Sequence, residues 1–318
     1  MKNTVFLNAG KVNYDGKLDF SPIEKVTNIT QYQESQPDEI LERVNGQNIV
    51  ITKELSLDRE MILQFPSSVE MICEAGTGYN NIDITAAKEK KITVCNIPAY
   101  SSEAVAQLTI TFLLSLCSSL PRQQIMIGQR DYRNFTEHLM VPHFEIQQKT
   151  LGVVGAGNIA RQVIAVARAL GMHVLVNSRR PRTWNDANIQ SVSLDQLLRE
   201  SDFVTLHCPL TPETRHLIDR EKIQLMKESA FLINTARGAI INEADLIDAL
   251  RCKKIAGAAL DVQEQEPPEL SNPLFSMDNV ILTPHIGWRC LESRQRLIDW
   301  IADNIQAFSN GTPIHVVN

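Results

Sequence analysis

The sequence lacks the features that mark secreted, metal-binding and membrane-spanning proteins. Its six cysteines are scattered, with no CxxC pair and no spacing typical of a zinc site. We therefore expect reduced thiols, and no metal even where His207 adjoins Cys208. No segment approaches the ~18 continuous apolar residues of a membrane span, and the first apolar run is too short for a signal peptide. The sequence thus predicts a cytoplasmic protein.

An excess of basic residues is also missing, since the formal net charge is −6. Without surplus cations to neutralise phosphates, the chain is not expected to bind nucleic acid. It has no solenoid repeat and no low-complexity tract. The 318 residues, 43% of them hydrophobic, suffice to bury a sizeable core and predict two domains of ordinary size.

Short apolar runs alternate with amphipathic stretches along most of the chain. This alternation is typical of βαβ units and predicts an α/β fold with parallel sheets. Expected helices include residues 37–44, 84–90 and 291–308. The expected strands are residues 5–7, 48–51, 69–73, 92–95, 151–155, 173–177, 203–206, 230–233, 256–260 and 280–282.

One long, largely apolar stretch covers residues 101–120, between Pro98 and Pro121. It is too short and too polar to span a membrane. We predict that it is a buried helix that joins two domains.

A glycine turn of the form GxGxxA follows an apolar strand in the middle of the chain. Gly155 permits the tight turn, and Gly157 lets the backbone approach a pyrophosphate at the helix N-terminus. Ala160 takes the close-packing third position. The motif alone is weak, but a strand precedes it, a helix pattern follows, and the next strand comes one βαβ unit later. The sequence therefore predicts a dinucleotide site that includes Asn158 and Ile159.

The next strand, residues 173–177, ends without the acidic residue that holds the ribose 2′-hydroxyl in NAD-binding proteins. It runs instead into NSRRPR, and no acidic residue appears before Asp186. A guanidinium attracts a 2′-phosphate and grips it with two hydrogen bonds, whereas a carboxylate repels it. We predict that Ser178, Arg179 and Arg180 favour NADP(H), with NAD(H) as second choice. The alternative is a solvated basic loop.

Three late segments, each following an expected strand, carry the residue types needed to reduce a 2-oxo acid. That reaction requires a cation for the carboxylate and carbonyl, an acid that delivers a proton, and a partner that orients the acid. Arg237, His285 and Glu266 have the chemistry for these roles, in that order. Singly, each would more often be structural. Together they follow successive strands at the edge where open α/β sheets bind ligands, so we predict an oxidoreductase that transfers a hydride.

The same motifs resemble the D-isomer-specific 2-hydroxyacid dehydrogenase family, nearly from end to end. They are the early loop AGTGYNNID, the glycine turn, and the stretches HCPLTPET, NTARG, DVQEQEP and TPHIG. The resemblance implies that Arg237, Glu266 and His285 are catalytic. It also implies that the backbone N–H groups of Thr77 and Gly78 hold the substrate carboxylate.

Further cofactor contacts follow from this resemblance. It puts Asp261 near the nicotinamide carboxamide. The remaining implied contacts are His207, Pro209, Thr214, Thr235, Ala236, His285 and Gly287.

The family's architecture gives an expected fold: two doubly wound parallel-sheet domains, with a Rossmann dinucleotide-binding domain inserted in a flavodoxin-like substrate domain. Residues 1–99 and 288–318 would form the substrate-binding domain, and residues 100–287 the NAD(P)-binding domain. A homodimer with its active site in the cleft is also implied.

Within the family, the segment PHIGWRCLESRQR and the tail GTPIHVVN are similar to glycerate dehydrogenases, the hydroxypyruvate or glyoxylate reductases. Asn158 replaces a common Arg, and Ala160 a common Gly. Of these departures, only the NSRR strand end, which is atypical of NAD-using members, changes the expected function, because it favours NADP(H). Two alternatives stay open: a dehydrogenase for a larger 2-oxo acid, and a non-catalytic, corepressor-like protein that senses nucleotides.

Overall fold

The computed structural model describes residues 1–180 and 183–318. Pro181 and Arg182, part of the predicted NADP-binding stretch, lie outside the described residues. The chain divides into two compact units. The first comprises Met1–Ser101 and Trp288–Asn318, and the second comprises Ser102–Gly287.

Strands and helices alternate through both units. The strands are β1 (Asn3–Phe6), β2 (Asn28–Gln31), β3 (Ile49–Thr52), β4 (Met71–Glu74), β5 (Thr93–Cys95), β6 (Thr150–Val154), β7 (His173–Asn177), β8 (Ile189–Ser191), β9 (Phe203–Leu206), β10 (Phe231–Asn234), β11 (Gly257–Leu260) and β12 (Val280–Leu282). The helices are α1 (Ser21–Glu24), α2 (Pro37–Arg43), α3 (Arg59–Gln64), α4 (Ile84–Glu89), α5 (Ser102–Cys117), α6 (Leu120–Gly128), α7 (Arg133–Thr136), α8 (Asn158–Ala169), α9 (Leu194–Glu200), α10 (Arg220–Leu225), α11 (Glu243–Arg251) and α12 (Leu291–Ser309).

The first unit is built on a parallel sheet with strand order β2-β1-β3-β4-β5. This is the flavodoxin-like doubly wound order. Successive side chains of a strand point to opposite faces, and Ile49 and Ile51 accordingly pack in one core cluster. Val50 and Ile72 pack in a second cluster. Both faces are apolar because helices cover them, as parallel sheets require.

The second unit has a parallel sheet of order β12-β11-β10-β9-β6-β7-β8. Chain order reverses at β6, which pairs with β7 on one side and β9 on the other. Open α/β sheets bind ligands at such a switch point, beyond the carboxyl ends of the strands. The predicted fold class, two doubly wound parallel-sheet domains, is confirmed.

Two strands were not predicted, and both lie at sheet edges. β2 carries the sequence NITQ, with no buried residue, and β8 carries IQS, which is also largely exposed. An edge strand with little burial has neither an apolar run nor a clean alternation, so periodicity does not reveal it.

The apolar helix predicted at residues 101–120 ends earlier, at Cys117. Ser119 has a left-handed backbone (φ 47°), and the chain restarts as α6 with Pro121 in its first turn. Among the described residues, no single helix is long and apolar enough to cross a membrane. The helices α5 and α6 are long and apolar enough only when they are taken together, and the chain bends by 63° between them.

Candidate active site at the carboxyl edge of the second sheet

Three strands of the second unit end level with one another. Asn234 of β10 pairs with Leu260 of β11, which pairs with Leu282 of β12. The loops that carry Arg237, Glu266 and His285 therefore all leave the same edge of the sheet.

The loops after β10 and β11 are in close contact at Gly238. A β-carbon on Gly238 would lie 1.9 Å from the carbonyl oxygen of Gln263, so a residue with a side chain does not fit there. The buried Asn234 side chain shapes the first loop: its amide accepts from Ala236 N (3.0 Å) and donates to the carbonyl of Arg237 (2.9 Å). The half-buried Arg237 donates from Nη1 to the Ala236 carbonyl, at 2.7 Å.

The structure brings Glu266 and His285 together. His285 Nδ1 lies 2.8 Å from Glu266 Oε2, and the two side chains are 24% and 35% exposed. The other carboxylate oxygen of Glu266 accepts from the backbone N–H of Gln263, at 3.0 Å. A carboxylate that accepts from Nδ1–H fixes the ring orientation and leaves Nε2 for other chemistry.

Asp261 organises the turn on which His285 stands. Its carboxylate is buried and accepts from Thr283 Oγ1 (2.6 Å) and from the N–H groups of Ile286 and Gly287 (both 2.8 Å). Burial raises the pKa of Asp261 in spite of these donors. The residue predicted near the nicotinamide thus also holds the backbone beneath the candidate acid.

At the switch point, the glycine turn has the geometry of a dinucleotide cradle. Gly155 has φ 102°, and a β-carbon there would lie 2.7 Å from the His207 carbonyl group, so glycine is required. A β-carbon on Gly157 would meet nothing within 4 Å, which leaves the approach to α8 open. Helix α8, twelve residues long, begins at Asn158 without a side-chain cap. Its first-turn N–H groups can therefore bind a pyrophosphate, so the residues present fit a dinucleotide.

The end of β7 presents cations rather than a carboxylate. The side chains of Arg179 and Arg180 are exposed, and Ser178 Oγ donates to the Arg180 carbonyl at 2.8 Å. Asp186, the next acidic residue in the sequence, instead pairs with Arg168 at 2.7 Å. The acidic ribose partner of NAD-specific folds is thus absent from residues 177–180.

One carboxylate does approach this strand end from another loop. A hydrogen bond from Thr211 and, to a smaller extent, the charge of Arg179 lower the pKa of Glu213. The exposed Glu213 therefore stays ionised and lies within electrostatic range of Arg179.

The other predicted cofactor residues line the ends of β9 and β10. His207 Nε2 lies 3.0 Å from Thr205 Oγ1, and burial lowers the pKa of His207 to about 4, so the ring is neutral near pH 7. Thr214 Oγ1 donates to the Pro209 carbonyl at 2.6 Å. Thr235 bonds to Thr109 of α5 at 3.0 Å between hydroxyls.

In the first unit, the loop after β4 presents backbone donors. Thr77 Oγ1 donates to the Ile97 carbonyl (3.0 Å), and Asn96 Nδ2 donates to the Thr77 carbonyl (2.7 Å). These bonds fix the loop. Within residues 1–180 and 183–318, the N–H groups of Thr77 and Gly78 have no acceptor, so both are free to bind a ligand.

Sequence reasoning missed two features near these edges. Lys53 and Glu74 follow or end buried strands of the first unit and are themselves buried. In the second unit, His216 pairs with Glu264 at 2.6 Å. The only sequence signal concerned the first feature: Lys53 directly follows the run NIVIT, and Glu74 directly follows the run VEMIC.

Comparison with known proteins identifies the family. The family described as "D-isomer specific 2-hydroxyacid dehydrogenase, NAD binding domain" matches residues 110–287. A protein named hydroxypyruvate reductase, from Blautia hydrogenotrophica, is 36% identical over 310 residues, which cover 95% of this chain and 96% of the relative. The chain belongs to the D-isomer-specific 2-hydroxyacid dehydrogenase family. It is an NAD(P)-dependent oxidoreductase, as the sequence predicted.

Two solved structures are similar over almost the whole chain. An acyclic imino acid reductase in complex with NADPH and D-Arg has a TM-score of 0.87 and 26% identity, covering 99% of this chain and 100% of that one. D-lactate dehydrogenase from Aquifex aeolicus, complexed with NAD and lactic acid, has a TM-score of 0.84 and 30% identity, covering 98% and 96%. One relative holds NADPH and the other NAD, so the fold accepts either cofactor.

Proposed function

We propose that this enzyme reduces a small 2-oxo acid to the D-2-hydroxy acid with NADPH, and that hydroxypyruvate is its substrate, with glyoxylate as the second choice. The observation that carries the proposal is the hydrogen bond between His285 Nδ1 and Glu266 at the sheet edge that also bears Arg237. The relative named hydroxypyruvate reductase supports the choice of substrate.

His285 is proposed as the general acid. With Nδ1 bonded to Glu266, Nε2 is the nitrogen that gives a proton to the C2 oxygen as the carbonyl becomes an alcohol. Glu266 keeps the ring oriented and balances the charge of the protonated imidazole. A bound reduced nicotinamide supplies the hydride. In the reverse direction, neutral His285 takes the hydroxyl proton.

Arg237 and the loop after β4 are proposed to hold the substrate carboxylate. A planar guanidinium can bind a carboxylate and also polarise the adjacent carbonyl. The free N–H groups of Thr77 and Gly78 offer two further donors.

The preference for NADPH rests on the end of β7. The exposed side chains of Arg179 and Arg180 stand there beside Ser178, and Asp186 pairs with Arg168 instead. Because Glu213 lies near Arg179 and repels a phosphate, we expect a preference rather than exclusive use of NADPH.

The test is loss of NADPH or NADH absorbance with hydroxypyruvate, glyoxylate and a panel of larger 2-oxo acids. We expect the highest kcat/KM with hydroxypyruvate and a lower KM for NADPH than for NADH. Arg179→Ala should raise the KM for NADPH more than kcat falls, because the 2′-phosphate is remote from the reacting carbon. Equal or better use of NADH by the wild type contradicts the cofactor assignment. A preference for a bulky apolar acid contradicts the substrate assignment, and no turnover at all favours a nucleotide-sensing protein.

The role of Arg237 has its own test. Arg237→Lys keeps the charge but loses the planar fork, so we expect a higher KM and a lower kcat. Arg237→Ala should lose about 3–4 kcal/mol of transition-state stabilisation, by analogy with oxyanion donors. Wild-type kcat/KM in Arg237→Ala would refute the role.

A homodimer and a cytoplasmic location stay predictions. Helix α6 buries none of its side chains, and Leu120 and Ile125 are about half exposed. A second copy of the chain is the occupant we propose for this apolar surface. Light scattering on the purified protein should give twice the monomer mass, and Ile125→Glu should give the monomer.

A further inference from the structure

The first unit contains a buried cation that the proposed mechanism does not use. Lys53 directly follows β3, is 3% exposed, and stands beside the carboxyl end of β4 because Thr52 pairs with Glu74. The side-chain amide of Asn8 accepts from the backbone N–H of Lys53 (2.9 Å) and donates to the Lys53 carbonyl (2.6 Å). These two bonds fix the backbone from which the lysine side chain starts.

The ammonium of Lys53 is adjacent to the loop that we propose binds the substrate carboxylate. Its nitrogen lies 3.1 Å from the point where a β-carbon on Gly76 would stand, one residue before Thr77. On another side it faces the ring of Trp288, at 4.3 Å from the centroid.

A lysine ammonium has three N–H donors, and those of Lys53 are not all used. Over the described ranges of the chain, the ammonium has one hydrogen-bond acceptor, Glu54 Oε1 at 2.6 Å. Trp288 supplies an aromatic face but no lone pair. A buried donor without an acceptor is costly, so the group is suited to an oxygen that a ligand brings.

Acidic groups surround the same ammonium and keep it charged. Burial lowers the pKa of Lys53, but Tyr100, Glu54 and Glu74 together outweigh burial and raise it. Burial also raises the pKa of Glu74 to about 7, although Lys53 and Asn81 oppose the change. The cluster therefore offers hydrogen-bond donors and acceptors within one small region.

This mixed character favours a hydroxyl group over a second carboxylate. A hydroxyl accepts from an ammonium and donates to a carboxylate, whereas a carboxylate only accepts and would be repelled by Glu54 and Glu74. We propose that Lys53 selects 2-oxo acids that carry a hydroxyl on C3, by donating a hydrogen bond to that oxygen while the loop at residues 76–78 holds the C1 carboxylate. This inference rests on the proposed function and names a specificity residue for it.

The experiment compares hydroxypyruvate, pyruvate and glyoxylate as substrates, since they carry CH₂OH, CH₃ and H on the carbonyl carbon. The variant is Lys53→Met, which keeps the length and removes the charge. The matched control is Lys90→Met, because Lys90 of the same unit also donates internally, to the Leu63 and Phe65 carbonyls. Each protein is assayed for kcat/KM with saturating NADPH.

We expect wild type to favour hydroxypyruvate over pyruvate by at least about tenfold. Lys53→Met should lose about 10- to 100-fold with hydroxypyruvate, the worth of one hydrogen bond to a charged group. With pyruvate and glyoxylate it should change by less than about threefold, and Lys90→Met should keep the wild-type ranking.

Three results would overturn the inference: equal losses with all three acids, which would give Lys53 a structural or carboxylate-binding role; no loss with hydroxypyruvate; or a wild type that reduces pyruvate as well as hydroxypyruvate. The last comparison decides the matter if Lys53→Met does not fold. A wild type that reduces none of the acids would instead refute the proposed function.

Discussion

Two histidine–glutamate pairs stand on the loops at the carboxyl edge of the second sheet. His285 bonds to Glu266 at 2.8 Å, and His216 bonds to Glu264 at 2.6 Å. Both glutamates belong to the loop after β11, and both histidines have a left-handed backbone, with φ of 53° and 52°. Residue type, separation and the backbone angle of the histidine therefore do not distinguish the two pairs.

The difference is which ring nitrogen is engaged. His285 bonds to Glu266 through Nδ1, the nitrogen nearer the backbone, which leaves Nε2 as its other ring nitrogen. His216 uses Nε2 itself, and its backbone N–H bonds to the Ala239 carbonyl. Glu264 also accepts from the N–H of Glu243 at the start of α11. In the part of the chain that the structure describes, the His285–Glu266 pair leaves the outer nitrogen, Nε2, without a hydrogen bond, whereas the His216–Glu264 pair uses Nε2 and ties three segments together.

The largest expected effect separates the two histidines in catalysis. His285→Ala should lose on the order of 10²–10⁴ in kcat, the usual worth of general acid catalysis. In the matched control, His216→Ala, kcat should stay within about tenfold of wild type, because the loss of the His216 side chain only repositions loops. Steady-state kinetics with hydroxypyruvate, together with NADPH affinity by fluorescence, measure both. Near-normal turnover in His285→Ala would end the acid assignment.

The glutamates provide the next comparison. Glu266→Gln keeps the shape but removes the charge that balances a protonated His285, so kcat for reduction should fall about 10- to 100-fold. Glu264→Gln should alter kcat by less than about threefold, since its partner gives no proton. Similar losses in both variants would mean that the loop after β11, and not the charge of Glu266, is what matters.

A third histidine extends the comparison to a ring without a carboxylate. Burial lowers the pKa of His207 to about 4. Because the unfolded chain then takes up the proton first, stability is lost as pH falls from about 6.5 to about 4. Lowering the pH from 7 to 5 should reduce the free energy of unfolding of both proteins. The reduction should be about 1–2 kcal/mol smaller in His207→Asn than in wild type. Urea denaturation without cofactor measures this. The control His173→Asn, at an exposed site, should show the same pH dependence of stability as wild type. If His207→Asn also shows the wild-type dependence, the buried neutral ring of His207 is not the cause.

The smallest expected effect concerns stability. Because His216 and Glu264 join separate segments, His216→Gln should cost about 0.5–1 kcal/mol, a typical value for one hydrogen bond between side chains. His285→Gln should cost less than that, because Glu266 is anchored mainly within its own loop. Thermal denaturation of the two variants decides the order. A larger loss in His285→Gln would show that the catalytic pair is also the structural one.

Sequence reasoning located the buried strands well. The bounds of β7 and β9 were predicted residue for residue, because apolar side chains on both faces leave a continuous run. The bounds of the edge strand β12 were also predicted, because its three residues are all apolar. β2 and β8 were not predicted because their sequences, NITQ and IQS, are mostly polar and exposed, so only the pairing of their backbones marks them as strands.

The candidate site was predictable in its chemistry but not in its details. Arg237, Glu266 and His285 stood out because each follows an apolar strand, and the structure joins two of them directly. Which nitrogen of His285 bonds to Glu266 depends on the local backbone, which no sequence motif encodes. The burial of Lys53 was not predicted because a lone lysine after a strand is ordinarily exposed. Its burial is made tolerable by the adjacent Glu54 and by tertiary neighbours that the sequence does not reveal, namely Tyr100, Glu74 and Trp288.

The missing side chain at Gly238 has a consequence for engineering this enzyme. Since a β-carbon there would meet the Gln263 carbonyl at 1.9 Å, any substitution must part the segment bearing Arg237 from the segment bearing Glu266. A larger residue at position 238 would therefore disturb the loops that carry Arg237 and Glu266 at the same time. A library intended to change substrate range should leave residue 238 fixed and diversify Thr77 or Lys53 instead, since both belong to the first unit and neither takes part in that contact.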